Sequence, residues 1–529
     1  MNNVVIIGGG ASGMAAAITA SEDKNNNVIS NPLEPVMMSG MTKVAWNGTT
    51  EITPSTNAEW YSYTAQTGTT DGKTSKWANA KNDGSYFVWI PRYAYRITYY
   101  SSQSSTDATG YYDGFGMWSA TDKKVKYALK TVVSNGKSYI VHPAFETDIN
   151  LGGWDSQLSG IWVAKYEMSM ETNGSHTETG SSSVGNVTTS STVKAVSKPN
   201  VSSWRNINIG NSYTNSYNYD RDKESHLMKN SEWGAVAYLC YSSYGSVPQI
   251  NAAGSIVSGK YWYNMHTGAG PLANGRTDWY GIKDGEIVNE EYTKEKHGYS
   301  TGNGILASTT GNITGIYDMN GGAWERVAAY LDNSNPRLSD YASQYFDRNT
   351  NELKPEYAAL WDKYDVSEEE KKAAKTAAIE IDENGTKTYI KQSELWDSNK
   401  TDLKYQIARL RLTKANFDNM AKHKGIGVNE VATEFSFYAS YYTKYSETEQ
   451  ETSWAFFKDP NNAAAKPGIT KGGNATTWDN DYMRIGHAYC PFLVRGGGCF
   501  SWGDAGVLYS DMAFGFGNSD DGFRSVLVL

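Results

Sequence analysis

Cysteine is almost missing from this 529-residue chain: Cys240, Cys490 and Cys499 are too few and too scattered for a disulfide framework or a zinc site with paired spacing. No run of twenty apolar residues occurs. The one N-terminal candidate, Val4 to Ala20, is short, glycine-rich and has no preceding Lys or Arg, so it reads as neither a secretory signal nor a membrane span. A block of Lys and Arg is also lacking, and the formal net charge is −9. Nucleic acid is therefore not an expected partner, since phosphate binding needs a concentrated basic face.

What is present is aromatic. Tyrosine occurs 38 times and tryptophan 17 times, while only 39% of the chain is apolar, so burial must come from rings more than from Leu and Ile. With abundant Ser, Thr, Asn and Gly, this composition predicts a loop-rich, β-leaning protein. The length allows two to four domains.

The first residues, MNNVVIIGGGASGMAAAITASED, predict a strand (Val4 to Ile7), a glycine turn and a helix (Ala11 to Ser21). Gly8, Gly10 and Gly13 fit G-x-G-x-x-G, in which glycines permit the tight turn and the approach of a pyrophosphate to the helix N-terminus. The stretch resembles the first βα unit of FAD-dependent oxidoreductases. That unit also needs a second parallel strand ending in an acidic residue. Glu34 stands at a plausible distance, but between prolines and with no apolar strand leading into it. Residues 1–34 are accordingly set apart as an N-terminal segment, and a flavin enzyme is the alternative function.

Residues 35–84 form a small aromatic-rich β region. MTKVAWNGTTEI, EWYSYTAQ and SKWANAKNDGSYFVWIPRYAYRITYY alternate in short pieces separated by Asn-Gly and Asp-Gly, which predicts hairpins. Tyr86 to Tyr95 predicts a strand bent at Pro91. Ile161 to Met168 reads as a buried strand, and the Ser/Thr-rich 171–198 as a surface loop. In HLMKNSEWGAVAYLCYSSYG, Leu227, Trp233, Val236, Ala237 and Cys240 share one face of a core helix. Residues 339–433 read as a helical insertion: Ser367 and Glu370 make a capping box, Leu403, Ile407, Leu410 and Phe417 share a helical face, and DENGTKTYI supplies a hairpin turn. Asn320 and Glu325 are the candidate ligands for a structural calcium ion, although polar residues in a Gly-rich turn more often satisfy backbone groups.

The stretch from Cys490 to Leu529 mixes rigid aromatics with small polar residues between PFLVRGG and GFRSVLVL, as a paratope does.

The ordered set SYFVWIPRYAY, GIWVAKYEM, HLMKNSEWGAVAYL, YDMNGGAWE, PFLVRGG and GFR resembles the formylglycine-generating-enzyme-like branch of the C-type lectin fold, and within it the variable proteins of diversity-generating retroelements and phage tail proteins. The resemblance runs from about Met41 to Leu529. It implies an α+β fold, loop-rich and with a helical insertion, in which 85–529 is a ligand-binding domain with a variable region at about 498–521. Oxidases of this branch bind copper through two cysteines between RGG and GFR; the matching positions here are Ser501 and Gly506, and no second thiol partners Cys499. None of the seven histidines begins the His-x-x-x-His-x-Glu of iron-dependent relatives. No enzyme activity and no cofactor beyond the calcium is therefore expected.

By the resemblance, the exposed ligand-binding candidates are Cys499, Ser501, Trp502, Tyr509, Asp511, Met512, Phe514, Phe516, Asn518, Ser519, Asp520 and Asp521. Ala505, Gly506 and Val507 belong to the core. The implied role is receptor binding: recognition of a protein or glycan on a target surface, from a phage virion or a bacterial cell surface, with oligomerisation compatible but not indicated.

Overall fold

The computed structural model describes residues 34–63, 75–95, 137–149, 152–176, 185–240, 294–302, 304–333, 337–365, 490–498, 506–507 and 509–529. It also describes short pieces at 6–7, 98–100, 111–113, 131–134, 244–245, 249–250, 256–257, 278–283, 286–291, 378–381, 387–390, 405–407, 475–476 and 482–483. Over these residues the protein is mixed α+β, mostly strand.

Two sheets carry the architecture. The first runs Thr50–Ile52, Thr42–Asn47, Asn79–Asn82, Ser85–Pro91, Gly160–Ala164, Ser525–Leu527, His226–Leu227. Its hairpins close where the sequence places Gly turns: Asp83 and Gly84 both take positive φ (44° and 76°), the two-residue turn that matches strand twist. This sheet crosses residue 84 without a break, since Asn79–Asn82 pairs antiparallel with Ser85–Pro91. The aromatic-rich region 35–84 is therefore continuous with the strands C-terminal to it. EWYSYTAQ does not open as a strand; Thr56 caps a helical turn, Asn57–Trp60, by accepting from the Glu59 amide.

In the second sheet, the Trp324–Asp332 strand lies between Phe492–Arg495 (antiparallel) and both Asp362–Asp365 and Asp521–Phe523 (parallel), and Ser510–Ala513 pairs antiparallel with Phe492–Arg495. Every motif of the resemblance thus falls on or beside one of these strands. The Asn230–Cys240 helix packs against the Trp324–Asp332 strand of the second sheet, and its residues are all buried, not only those on the predicted face. Large rings fill the core: Trp77, Trp162, Trp204 and, on the helix itself, Trp233 are fully enclosed, and Trp89 packs 5.3 Å from Trp162. Rings of this size supply the buried area that the chain's few aliphatic residues do not.

Two expectations are corrected. The Ser/Thr-rich 171–198 is not a bare loop: Ser169–Thr172 pairs with both Ser175–His176 and Val193–Val196, because Ala195 and Val196 are buried and hold that strand down. Residues 378–381, 387–390 and 405–407 form a three-stranded antiparallel sheet inside the region read as helical. Ala378–Ile381 and Lys387–Ile390 pair antiparallel on either side of DENG, which itself lies outside the described residues, and Ile407 belongs to a strand because Tyr405–Ile407 finds a paired edge at Ala378–Glu380; Ser367, Glu370, Leu403, Leu410 and Phe417 also lie outside the described residues. At the N-terminus, Ile6–Ile7 pairs parallel with Ala94–Tyr95. Gly8, Gly10, Gly13 and the helix after them lie outside the described residues, and Glu34 is exposed.

Candidate contact face

The motif residues with charged side chains meet in the interior as structural clasps. Arg524, of GFR, donates from Nε and Nη2 to the two oxygens of Glu325 (2.9 and 2.5 Å), and also to the carbonyls of Ala164 and Tyr317 (both 2.8 Å). Glu325 therefore faces a cation already. Asn320, its partner in the calcium reading, is buried with neither amide atom bonded. Among the described residues no group of three His, Cys, Asp or Glu is arranged to hold a metal ion. Glu167 accepts from the Ala323 amide (3.0 Å) and the Ser203 hydroxyl. Burial, with the nearby Glu325 and Asp318, holds its carboxyl well above the usual range. Lys165 is buried with its ammonium on Asn79 Oδ1 and the carbonyls of Ile313 and Gly315 (2.8, 2.6 and 2.9 Å).

A second set of buried donors grips the stretch 506–521 by its main chain. Arg495, of RGG, donates from Nε to the Tyr509 carbonyl (2.7 Å) and from Nη1 to Asn230 Oδ1 (2.6 Å); Trp233 Nε1 donates to the Val507 carbonyl (2.7 Å). Arg326 donates to the carbonyls of Phe516 and Ile207, the latter at 3.1 Å, and pairs with Asp521 at 2.6 Å. Arg205 Nη1 reaches the Ser519 carbonyl (3.2 Å). Amides of Ile209, Asn206 and Trp324 donate to the carbonyls of Gly515, Asn518 and Asp520 (2.9, 2.8 and 2.9 Å). Apart from the Arg326–Asp521 pair, these contacts are to main-chain carbonyls and do not depend on the identity of the side chains they hold in place.

Outward from that grip, the predicted residues divide. Phe516 is 43% exposed, and Met512, Phe514, Asn518, Ser519 and Asp520 are half-buried. Tyr509, Asp511 and Asp521, expected on the surface, are at most 9% exposed. Asp511 pairs with Val494 across the strands, Tyr509 precedes that strand with its carbonyl held by Arg495, and Asp521 is drawn in by Arg326. Gly506 and Val507 are buried as expected. Cys499, Ser501, Trp502 and Ala505 lie outside the described residues.

Local backbone explains the Phe-Gly-Phe unit. Gly515 has φ +99°, and a Cβ there would lie 2.8 Å from the Phe492 ring, so glycine is required. On either side of it, Phe514 and Phe516 stack at 5.4 Å and 27°. Sequence reasoning missed their neighbours. Tyr341, on the Arg337–Ala342 helix, meets Phe516 edge-on at 6.1 Å. The Arg337 guanidinium stands 5.9 Å from the Phe514 ring centre and 5.8 Å from that of Tyr341, whose hydroxyl it also bonds (3.2 Å). Leu338 and Ala342 are buried beneath. Only the pairing of an aromatic with Arg four residues before it, at the edge of the supposed insertion, could have pointed there.

The buried Asp521 gives the face a pH signature. Burial, reinforced by Asp520 and Asp511 and opposed by Arg326, raises its carboxyl from 3.8 to about 6; one of its oxygens has no hydrogen-bond partner. A raised carboxyl contributes stability that is complete below the unfolded value and is lost as pH rises through the folded one. Lowering pH from 7.5 to 5 is thus expected to add about 1–1.5 kcal/mol to the unfolding free energy through this group. Urea titrations at the two pH values check it. Asp521→Asn should remove the increment, and an unchanged increment in that variant would refute the assignment.

Among the described residues no helix is long and apolar enough to cross a membrane. No protein-family model matches the chain, and no curated protein matches it.

Proposed function

We propose that the chain is a non-enzymatic ligand-binding protein of the formylglycine-generating-enzyme-like C-type lectin type, whose 506–521 face contacts a partner on a target surface. Display is on a phage tail or a bacterial cell surface, and a retroelement diversifies the codons of the face. One observation carries the reading: the scaffold holds this stretch through the carbonyls of Val507, Tyr509, Gly515, Phe516, Asn518, Ser519 and Asp520, while the side chains of Met512, Phe514, Phe516, Asn518, Ser519 and Asp520 point at least partly outward. A scaffold that reads backbone tolerates sequence change at the surface it presents. Aromatic anchors in a polar surround are what a binding hot spot requires.

The genetic test is direct. DNA near the gene should contain a near-copy of codons 498–521 that differs almost only at adenines, together with a reverse transcriptase gene; without them the diversified version of the proposal is wrong. For binding, intact bacteria of many strains serve as targets in a pull-down by the purified chain. Phe516→Ala and Met512→Ala should lose at least about tenfold in binding to whichever strains the parent binds, with melting unchanged. Tyr509→Ala should instead lower stability by about 3 kcal/mol, because its ring is buried. Binding unaffected by Phe516→Ala and Met512→Ala would remove the 506–521 face from the interaction.

A further inference from the structure

We propose that the patch formed by Phe514, Phe516 and Tyr341 seats a lysine or arginine side chain of a protein partner, with Tyr341 as a fixed member contributed from outside the terminal stretch. The inference rests on the contact-face reading of 506–521. Its first support is geometric. Two ring faces are stacked, a third ring stands edge-on, and Phe516 keeps 43% of its surface open. Ring faces carry negative potential and attract cations within about 6 Å of their centres. The protein already uses the patch this way, for Arg337 rests over Phe514 and Tyr341.

The second support is charge. Asp340 is exposed on the same short helix as Tyr341, Asp520 is half-buried next to the Phe-Gly-Phe unit, and Asp511 lies close enough to act on Asp521. The Arg326 charge is matched by Asp521, and Arg337 offsets one of these three carboxylates, leaving the acidic side in excess. The rings therefore sit in a negative field on a chain of net charge −9, which favours a basic group over an acidic or neutral one and speeds its approach. The Tyr341 helix is fixed by close backbone packing: a Cβ on Gly210 would come within 2.4 Å of the Tyr341 carbonyl. Changes in the terminal stretch thus leave one ring of the patch in place.

The test uses the full chain carrying 4-fluorophenylalanine at 516 or 3-fluorotyrosine at 341, observed by fluorine NMR. The probes are three twelve-residue peptides in which serine alternates with lysine, glutamate or glutamine. The lysine peptide should shift both signals saturably, and its affinity should fall about tenfold between 20 and 200 mM salt. Tyr341→Ala should weaken it about tenfold and Asp340→Asn with Asp520→Asn about fivefold, with melting curves unchanged. Equal or stronger binding of the glutamate or glutamine peptide overturns the cationic assignment and leaves the contact face standing. No shift with any peptide also overturns it, whereas failure of the contact face itself is read separately, from bacterial binding that ignores Phe516→Ala and Met512→Ala.

Discussion

Arg524→Met is expected to lower the unfolding free energy by about 3–5 kcal/mol, the range for removing one partner of a buried ion pair. The substitution keeps most of the side-chain volume, so packing is not the main loss. What disappears is the counter-charge of Glu325, two bonds to its carboxylate, and the donors that satisfy the Ala164 and Tyr317 carbonyls. Glu325 and Glu167 already have their carboxyls raised by burial, and each is held down in part by Arg524. Without the arginine both must stay protonated or drive the core open. Urea unfolding followed by tryptophan fluorescence measures the loss. Adding Glu325→Gln should recover part of it, so that the double variant is less damaged than the sum of the single ones. A loss below about 1 kcal/mol would show the clasp to be dispensable.

The contrast between grip and surface gives the second large effect. Arg326→Leu is expected to cost about 3–5 kcal/mol, because Asp521 is left buried without its cation and the carbonyls of Phe516 and Ile207 lose their donor. Replacing Phe516, Asn518, Ser519 and Asp520 together by alanine should change stability by less than about 1 kcal/mol, since those side chains are exposed or half-buried and the bonds that fix the segment are to its carbonyls. Both variants can be compared in one series of denaturation curves. If the quadruple variant loses as much as Arg326→Leu, the side chains and not the backbone determine the shape of the stretch.

The sequence made the frame legible where chemistry is local. Asp83-Gly84 marked a hairpin, Pro91 ended a strand, and the RGG and GFR arginines marked the two points at which the terminal stretch is fastened. It was less informative wherever burial depends on distant partners. Tyr509 and Asp521 have the same composition signal as Phe516 and Asp520, yet each is fastened by a buried arginine, Arg495 at the Tyr509 carbonyl and Arg326 at the Asp521 carboxylate. Ile407 fitted a helical spacing but lies in a strand, because a paired edge overrode a weak periodic pattern. Tyr341 was invisible for a related reason: its place beside Phe516 comes from a contact spanning some 175 positions, which no local pattern records.

The strands at 521–523 and 525–527 are inserted one into each sheet, against Trp324–Arg326 in the second and between Trp162–Val163 and His226–Leu227 in the first. During synthesis both sheets therefore wait, with open edges, until the ribosome has passed residue 527. A frameshift or premature stop anywhere in 498–521 deletes the two closing strands along with Arg524, and such a product exposes unpaired edges to proteases and chaperones. Point substitution in the same codons keeps both closing strands in the chain. The topology thus makes closure of both sheets depend on residues 521–527 being translated in frame.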